Sequence, residues 1–243
     1  MRIKLIFKTP IRGIESVYLV CLIMILSVIY KEWIKLRIPL GILLILSVIP
    51  SVCLCLQLRY DFSQMGAVRA WSFWMYNSEL FYTKFAYVPP FLGLILGLLQ
   101  YYPETEDGRL RLLLHLPINE IKGLLAHQFI GITLLISVCS IPWLLMAFTA
   151  QVYFPEEYLS GFALTSYPWI YAAIFVYLFT EITLLEPKII YKVCFIALGL
   201  GLVSQLFDTH FYNTYQRLIP VLTPLLVAGF FMPLLILNRY KSL

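Results

Sequence analysis

Any chemistry in this chain has to be assembled from three histidines, five cysteines and thirteen acidic residues. His115 and His127 stand twelve positions apart across Pro117, whereas His210 lies in the stretch Asp208-Thr-His-Phe-Tyr-Asn, which the charge pattern below assigns to the opposite face. A three-histidine metal site would have to bridge both faces, so no metal is assigned. Cys21, Cys53, Cys55, Cys139 and Cys194 all fall inside apolar runs. Cys53 and Cys55 would point about 200° apart on a helix, which cannot clamp an ion, and the five read as small apolar fillers. Glu181 and Glu186 lie five apart at the end of an apolar run, just before Pro187-Lys188. An ionisable group there is costly and often functional. One reading places both at headgroup level, paired with Lys188 or Lys192. The other buries Glu181, protonated or paired, where it lines a conduction path or steadies a helix end. The Gly-x-x-x-x-Gly-Lys-Ser/Thr loop that cradles ATP phosphates does not occur, and the chain's Lys-Gly pair, Lys122-Gly123, runs in the wrong order. No catalytic residue and no cofactor is assigned, and the chain is not expected to be an enzyme.

The elements that would carry these residues are dictated by composition. Apolar residues make up 61% of 243 positions, charged residues only 13%, and the mean hydropathy is +0.84. A soluble domain carries roughly 45–50% apolar and about 25% charged residues, so this chain has too little polar surface to cover a globule in water. A bilayer core needs about 20 apolar residues per helix, which leaves room for six or seven spans in one transmembrane domain, 1–243, and for no separate catalytic domain. Seven stretches lack Asp, Glu, Lys and Arg: Ser16–Tyr30, Ile38–Leu58, Phe85–Tyr102, Gly123–Pro155, Tyr158–Thr180, Val193–Phe207 and Leu218–Asn238. None alternates in polarity as barrel strands do. The expectation is an all-α integral membrane protein, a polytopic helical bundle. Pro142 predicts a kink or break in the fourth stretch. The first stretch is basic-then-apolar like a signal peptide but has no Ala-x-Ala cleavage site, and it is expected to be retained.

Orientation follows from where Lys and Arg fall. The net charge of +5 reads as basic loops on the cytoplasmic side of the membrane rather than as a nucleic-acid surface. With seven crossings and a cytoplasmic C-terminus, ten basic residues lie inside and eight outside. If the first stretch does not cross, the split is fourteen to four. The charge rule therefore favours six crossings plus one N-terminal apolar segment, with seven crossings as the alternative, in the cytoplasmic (inner) membrane. Residues 59–84 then face outward. Their density of Tyr, Trp and Phe fits the aromatic belt at an interface, or a binding face for an external partner.

The most informative stretch, 103–122, lies between the third and fourth segments. It holds an acidic cluster (Glu104, Glu106, Asp107), then Gly108, then leucines at 110, 112, 113, 114 and 116, then Pro117, with Asn119 placed to cap the next helix. A short helix cannot hide that many leucines by itself. It must bury them in the interface, in its own bundle, or in a groove of another protein. In this order, Glu104 or Glu106, Gly108, Leu110, Leu112, Leu113, Leu114, Pro117 and Lys122-Gly123 resemble the segment between the second and third membrane helices of ABC-2 type permease subunits. Four apolar segments follow it, as in that family; three precede it where the family has two.

The resemblance implies a permease subunit of an ATP-driven ABC transporter, with Glu104, Glu106, Gly108, Leu110, Leu112, Leu113, Leu114 and Pro117 as the element coupled to a separate ATPase chain. It implies a second permease copy or a related permease as partner, besides the lipid bilayer, and no nucleic acid. Two other classes stay open. One is a polytopic membrane enzyme or cofactor-carrying subunit built on His127, Glu181 and the aromatic loop. The other is a membrane anchor or assembly factor for a soluble partner. Gly199-Leu-Gly201 offers a small-residue surface for a helix contact.

Overall fold

A computed structural model describes residues 13–76, 80–106, 120–207 and 218–241. Among them the chain is 93% helical, with seven α-helices and no strand. The all-α membrane architecture expected from composition is what the chain adopts. The helices are α1 (Gly13–Met65), α2 (Ala67–Tyr76), α3 (Val88–Glu106), α4 (Glu120–Tyr153), α5 (Glu156–Leu185), α6 (Ile189–Ser204) and α7 (Ile219–Lys241). A 3₁₀ turn, Thr83–Tyr87, leads into α3. Four stretches are long and apolar enough to cross a membrane: Leu26–Met65, Thr83–Glu106, Ile121–Tyr153 and Glu156–Leu185. The described apolar parts of α6 and α7, Ile189–Ser204 and Ile219–Leu234, are shorter.

α1 departs from the sequence reading. The two apolar stretches expected on either side of residues 31–37 form one helix of 53 residues, about 80 Å long at 1.5 Å per residue. The local sequence permits it: Lys31-Glu-Trp-Ile-Lys-Leu-Arg37 contains no Gly or Pro, and most of these residues are good helix formers. Pro39 and Pro50 are absorbed within the helix. Its buried face is a single stripe: Leu36, Leu40, Leu43, Ser47, Ser51, Leu54 and Leu58 recur at intervals of three and four, while Ile38, Ile42, Ile45 and Ile49 stay exposed. Extended one turn toward the N-terminus, that stripe reaches Glu32, which is 1% exposed. A carboxylate thus occupies a core position.

α4 also runs unbroken, through Pro142. α5 lies at the centre of the bundle, packed on α3, α4, α6 and α7, and Trp169, Ala172, Ala173 and Tyr177 on it are fully buried. α3 can come this close because it presents Gly93 and Gly97 to α5. A Cβ at Gly93 would strike the carbonyl oxygen of Ala173, and one at Gly97 would lie 3.0 Å from Thr180.

The aromatic stretch 59–84 divides into a largely exposed part up to Ser72 and a buried part that includes Trp74 and Leu80–Tyr82. α1 continues through Arg59 to Met65, and Gly66, at φ 75°, turns the chain into α2. Trp74, Leu80, Phe81, Tyr82 and Phe85 pack with Phe154, Tyr158, Phe162 and Trp169 in one buried cluster. Phe81 stacks on Phe154 with ring centroids 5.8 Å apart, and Tyr82 meets Phe162 edge-on at 4.7 Å. Tyr60, Val68 and Trp71, in the earlier part of the stretch, remain exposed. Of the four cysteines whose side chains are described, Cys139 is buried, Cys55 accepts the Thr149 hydroxyl at 3.2 Å, and Cys53 and Cys194 are exposed.

Gly93→Ala is expected to destabilise the bundle by about 1–3 kcal/mol through overpacking. Gly41→Ala, which meets nothing within 4 Å, should be neutral or stabilising. Thermal unfolding of the detergent-purified variants measures the difference.

Candidate functional site: a buried charge cluster

Four helices deliver ionisable and polar side chains to one end of the bundle. α1 supplies Lys31, Glu32 and Lys35 from the turn that prolongs its core stripe. α3 supplies Gln100, Tyr101 and Glu104 from its last turns. α4 supplies His127 and Gln128 near its start, and α5 supplies Tyr177 and Glu181 near its end. Glu32, Gln100, Glu104, His127, Gln128, Tyr101, Tyr177 and Glu181 are all buried.

Glu104 is the hub. Its Oε1 accepts from Lys31 Nζ at 3.0 Å and from Lys35 Nζ at 3.1 Å. Lys35 also donates to the backbone carbonyl of Gln100 at 2.7 Å and stands 4.0 Å from Glu32 Oε2. Lys31 is half exposed, whereas the Lys35 side chain is only 19% exposed, so Lys35 carries the buried half of the pairing.

Beside this ion pair, Gln100 organises a neutral network. Its Nε2 donates to the His127 carbonyl at 2.9 Å and to His127 Nδ1 at 2.7 Å, and its Oε1 accepts from the Tyr177 hydroxyl at 2.9 Å. The carbonyl contact sets the amide orientation, since the reverse would bring two oxygens together. Nδ1 of His127 is therefore an acceptor, and in the neutral ring the proton sits on Nε2. That Nε2 lies 3.7 Å from Glu32 Oε2, and both atoms are buried without a hydrogen-bond partner. Tyr101 stacks on the His127 ring at 4.9 Å, and the Glu181 carboxyl sits near the Tyr101 hydroxyl short of a well-formed hydrogen bond. Gly131 of α4 makes room for the network: a Cβ there would run into the Tyr177 hydroxyl and Gln100 Oε1.

Ligand atoms of Glu32, Glu104 and His127 lie within 4.8 Å of one another, which raises the question of a metal. The donor set is a poor fit. Glu104 is already neutralised by two ammonium groups, and the one ring nitrogen of His127 that faces the carboxylates carries a proton instead of a lone pair. Two lysines against two glutamates close the charge balance. The arrangement acts chemically as an ion-pair lock with one loose contact, between Glu32 and His127.

Of the residues singled out in the sequence, Glu104 is the centre of the cluster. Glu106 is exposed at the end of α3, within reach of the Tyr102 hydroxyl. Gly108, Leu110, Leu112, Leu113, Leu114 and Pro117 lie outside the described residues, as do His115 and His210. Glu181 is fully buried within the bundle, as the second of its two readings has it. Among the described residues no ion pair joins Lys188 or Lys192 to Glu181; Lys188 lies 6.0 Å over the ring of Tyr191. Gly199 packs on its own chain's Phe179, and Gly201 is open. The aromatic cluster around Trp169 and the network around Tyr177 sit two turns apart on α5, about 12 Å, so His127 and Glu181 do not share a site with the aromatic loop. The sequence reading missed Glu32, Lys35, Gln100 and Tyr177; the signal for Glu32 was its place on the leucine stripe.

Comparison with known proteins finds no matching family model, no matching curated protein and no matching solved structure.

Lys35→Met should cost roughly 3 kcal/mol or more, because it strips buried Glu32 of its neighbouring ammonium and leaves Glu104 only the half-exposed Lys31. Lys31→Met, at the exposed edge, should cost under about 1 kcal/mol. In Lys35→Met/Glu104→Gln much of the loss should return. Denaturant or thermal unfolding of the four proteins in one detergent checks this ranking.

Proposed function

We propose that this chain is the membrane-spanning permease subunit of an ATP-driven ABC transporter. It lies in the cytoplasmic membrane, crosses it with a bundle of up to six helices, and works with a separate ATPase chain and a second permease, identical or related. The observation that carries this reading is the position of the charge cluster. The leucine-rich segment 107–119 leaves α3 three residues after Glu104 and enters α4 eight residues before His127. Both flanking helices are fastened, within those few residues, to α1 and α5 through one buried network.

A force applied to the leucine-rich segment would thus reach four helices at once. ATP binding would close the ATPase pair, draw on the segment, and bias the bundle between two arrangements. No covalent chemistry falls to this chain. The loose Glu32–His127 contact, at 3.7 Å, is where such a bundle has slack: one arrangement leaves it open and the other closes it to hydrogen-bond length.

The test is co-purification. A Walker-loop ATPase should accompany the wild-type chain and be lost, by tenfold or more, in Leu113→Asp, the loss of one docking anchor being worth about 2 kcal/mol or more. Retention of the ATPase by Leu113→Asp and Leu114→Asp, in chains that reach the membrane, would count against the proposal.

A further inference from the structure

Away from the charge cluster, α3, α5 and α6 enclose a groove of about 310 Å³ that opens toward the outside of the bundle. Its walls are Leu94 and Leu98 of α3, Val176 and Phe179 of α5, and Ile196 and Leu200 of α6. The polar atoms within reach are the hydroxyls of Thr180 and Thr183, and each is consumed by its own helix, donating to Val176 O at 2.7 Å and to Phe179 O at 2.6 Å. Each hydroxyl keeps acceptor capacity alone, too little to hold a water that needs several polar partners. The groove exists because Gly199 has no side chain: it is buried, and its missing Cβ leaves Phe179 as floor, 3.0 Å from where that atom would be.

With its walls apolar and its hydroxyls already bonded, the groove suits an extended hydrocarbon chain. The charge at one end narrows the choice. On α6 the groove-facing positions Ile196, Gly199, Leu200 and Val203 continue one turn back to Lys192 on the same stripe. Lys192 is half-buried and has no acidic partner among the described residues. Helical side chains lean toward the N-terminus, so its ammonium lies beyond the groove mouth, where an apolar stem with a charged tip reaches headgroup level.

We infer that the α3–α5–α6 groove holds one acyl chain of an anionic membrane phospholipid, with the lipid phosphate held by Lys192. This site is separate from the charge cluster and does not rest on the transporter reading.

Native mass spectrometry of the detergent-purified full chain tests it, with mixed micelles of dioleoyl-phosphatidylglycerol or dioleoyl-phosphatidylcholine as probes. One phosphatidylglycerol per chain is expected, favoured over phosphatidylcholine by roughly fivefold, the factor one basic residue supplies near an anionic lipid surface. Leu200→Trp, at a side chain already 67% exposed, should fill the groove and remove the adduct. Gly201→Trp, on the open side of α6, should leave the adduct intact and so controls for folding. Lys192→Gln should keep a lipid adduct and lose the preference for phosphatidylglycerol. An adduct indifferent to Leu200→Trp overturns the inference. So does complete displacement of the lipid by inorganic phosphate, which would mean that a headgroup site alone is present. A change of oligomeric state in Leu200→Trp with lipid binding untouched would assign the face to a second copy, and would overturn it too.

Discussion

A charge removed from water must find its counter-charge inside the protein, and around Glu104 that requirement organises one whole end of this bundle. The carboxylate is 4% exposed, so its ionised form depends on Lys35 and Lys31 reaching it from another helix. Lys35 can do so only if α1 stays helical through residues 31–37 and lies against α3. The same ammonium bonds the Gln100 carbonyl, and the Gln100 side chain in turn fixes His127 and accepts from Tyr177. One ion pair therefore sets the relative placement of α1 and α3, and one amide extends that placement to α4 and α5. Buried networks of this kind specify a packing more than they stabilise it, because breaking one partner is costly while the intact pair adds little over apolar contact.

The two ends of α5 are built on different physics. Near Phe162 and Trp169 the neighbours are rings, and packing area with edge-on and stacked contacts decides the arrangement. Near Tyr177 and Glu181 the neighbours are hydrogen-bonding groups, and direction decides it. Aromatic packing tolerates small slides. A network in which Gln100 makes three bonds at 2.7 to 2.9 Å does not. If the bundle has two working arrangements, the polar end is the end that can distinguish them, and it is also the end from which residues 107–119 emerge. The glycines follow the same division: Gly93 and Gly97 set the depth of α3 against α5, and Gly131 clears space for the Tyr177–Gln100 bond.

Amino-acid order alone determined a good deal about this protein. The scarcity of charge and the long apolar runs dictate helices with lipid-compatible faces, because backbone groups without water must bond within their own segment. The three-and-four spacing of leucines along residues 36–58 marks the buried face of α1, and the acid–Gly–leucine–Pro run marks the stretch between α3 and α4 as special. Glu32 was legible in principle as a polar group on that leucine stripe. Other features depended on distance in space. The residues of 31–37, free of Gly and Pro, permit an unbroken helix, but a charged heptapeptide can equally mark a membrane surface; packing against α3 and α4 selects the continuous form. Lys31 and Glu104 are 73 positions apart and Gln100 and Tyr177 are 77 apart, and no local periodicity records such pairings. Helical rise and twist are properties of neighbouring residues, and so can be read along the chain. The partner of a buried charge is a property of whichever helix lies alongside, and only the folded bundle determines that.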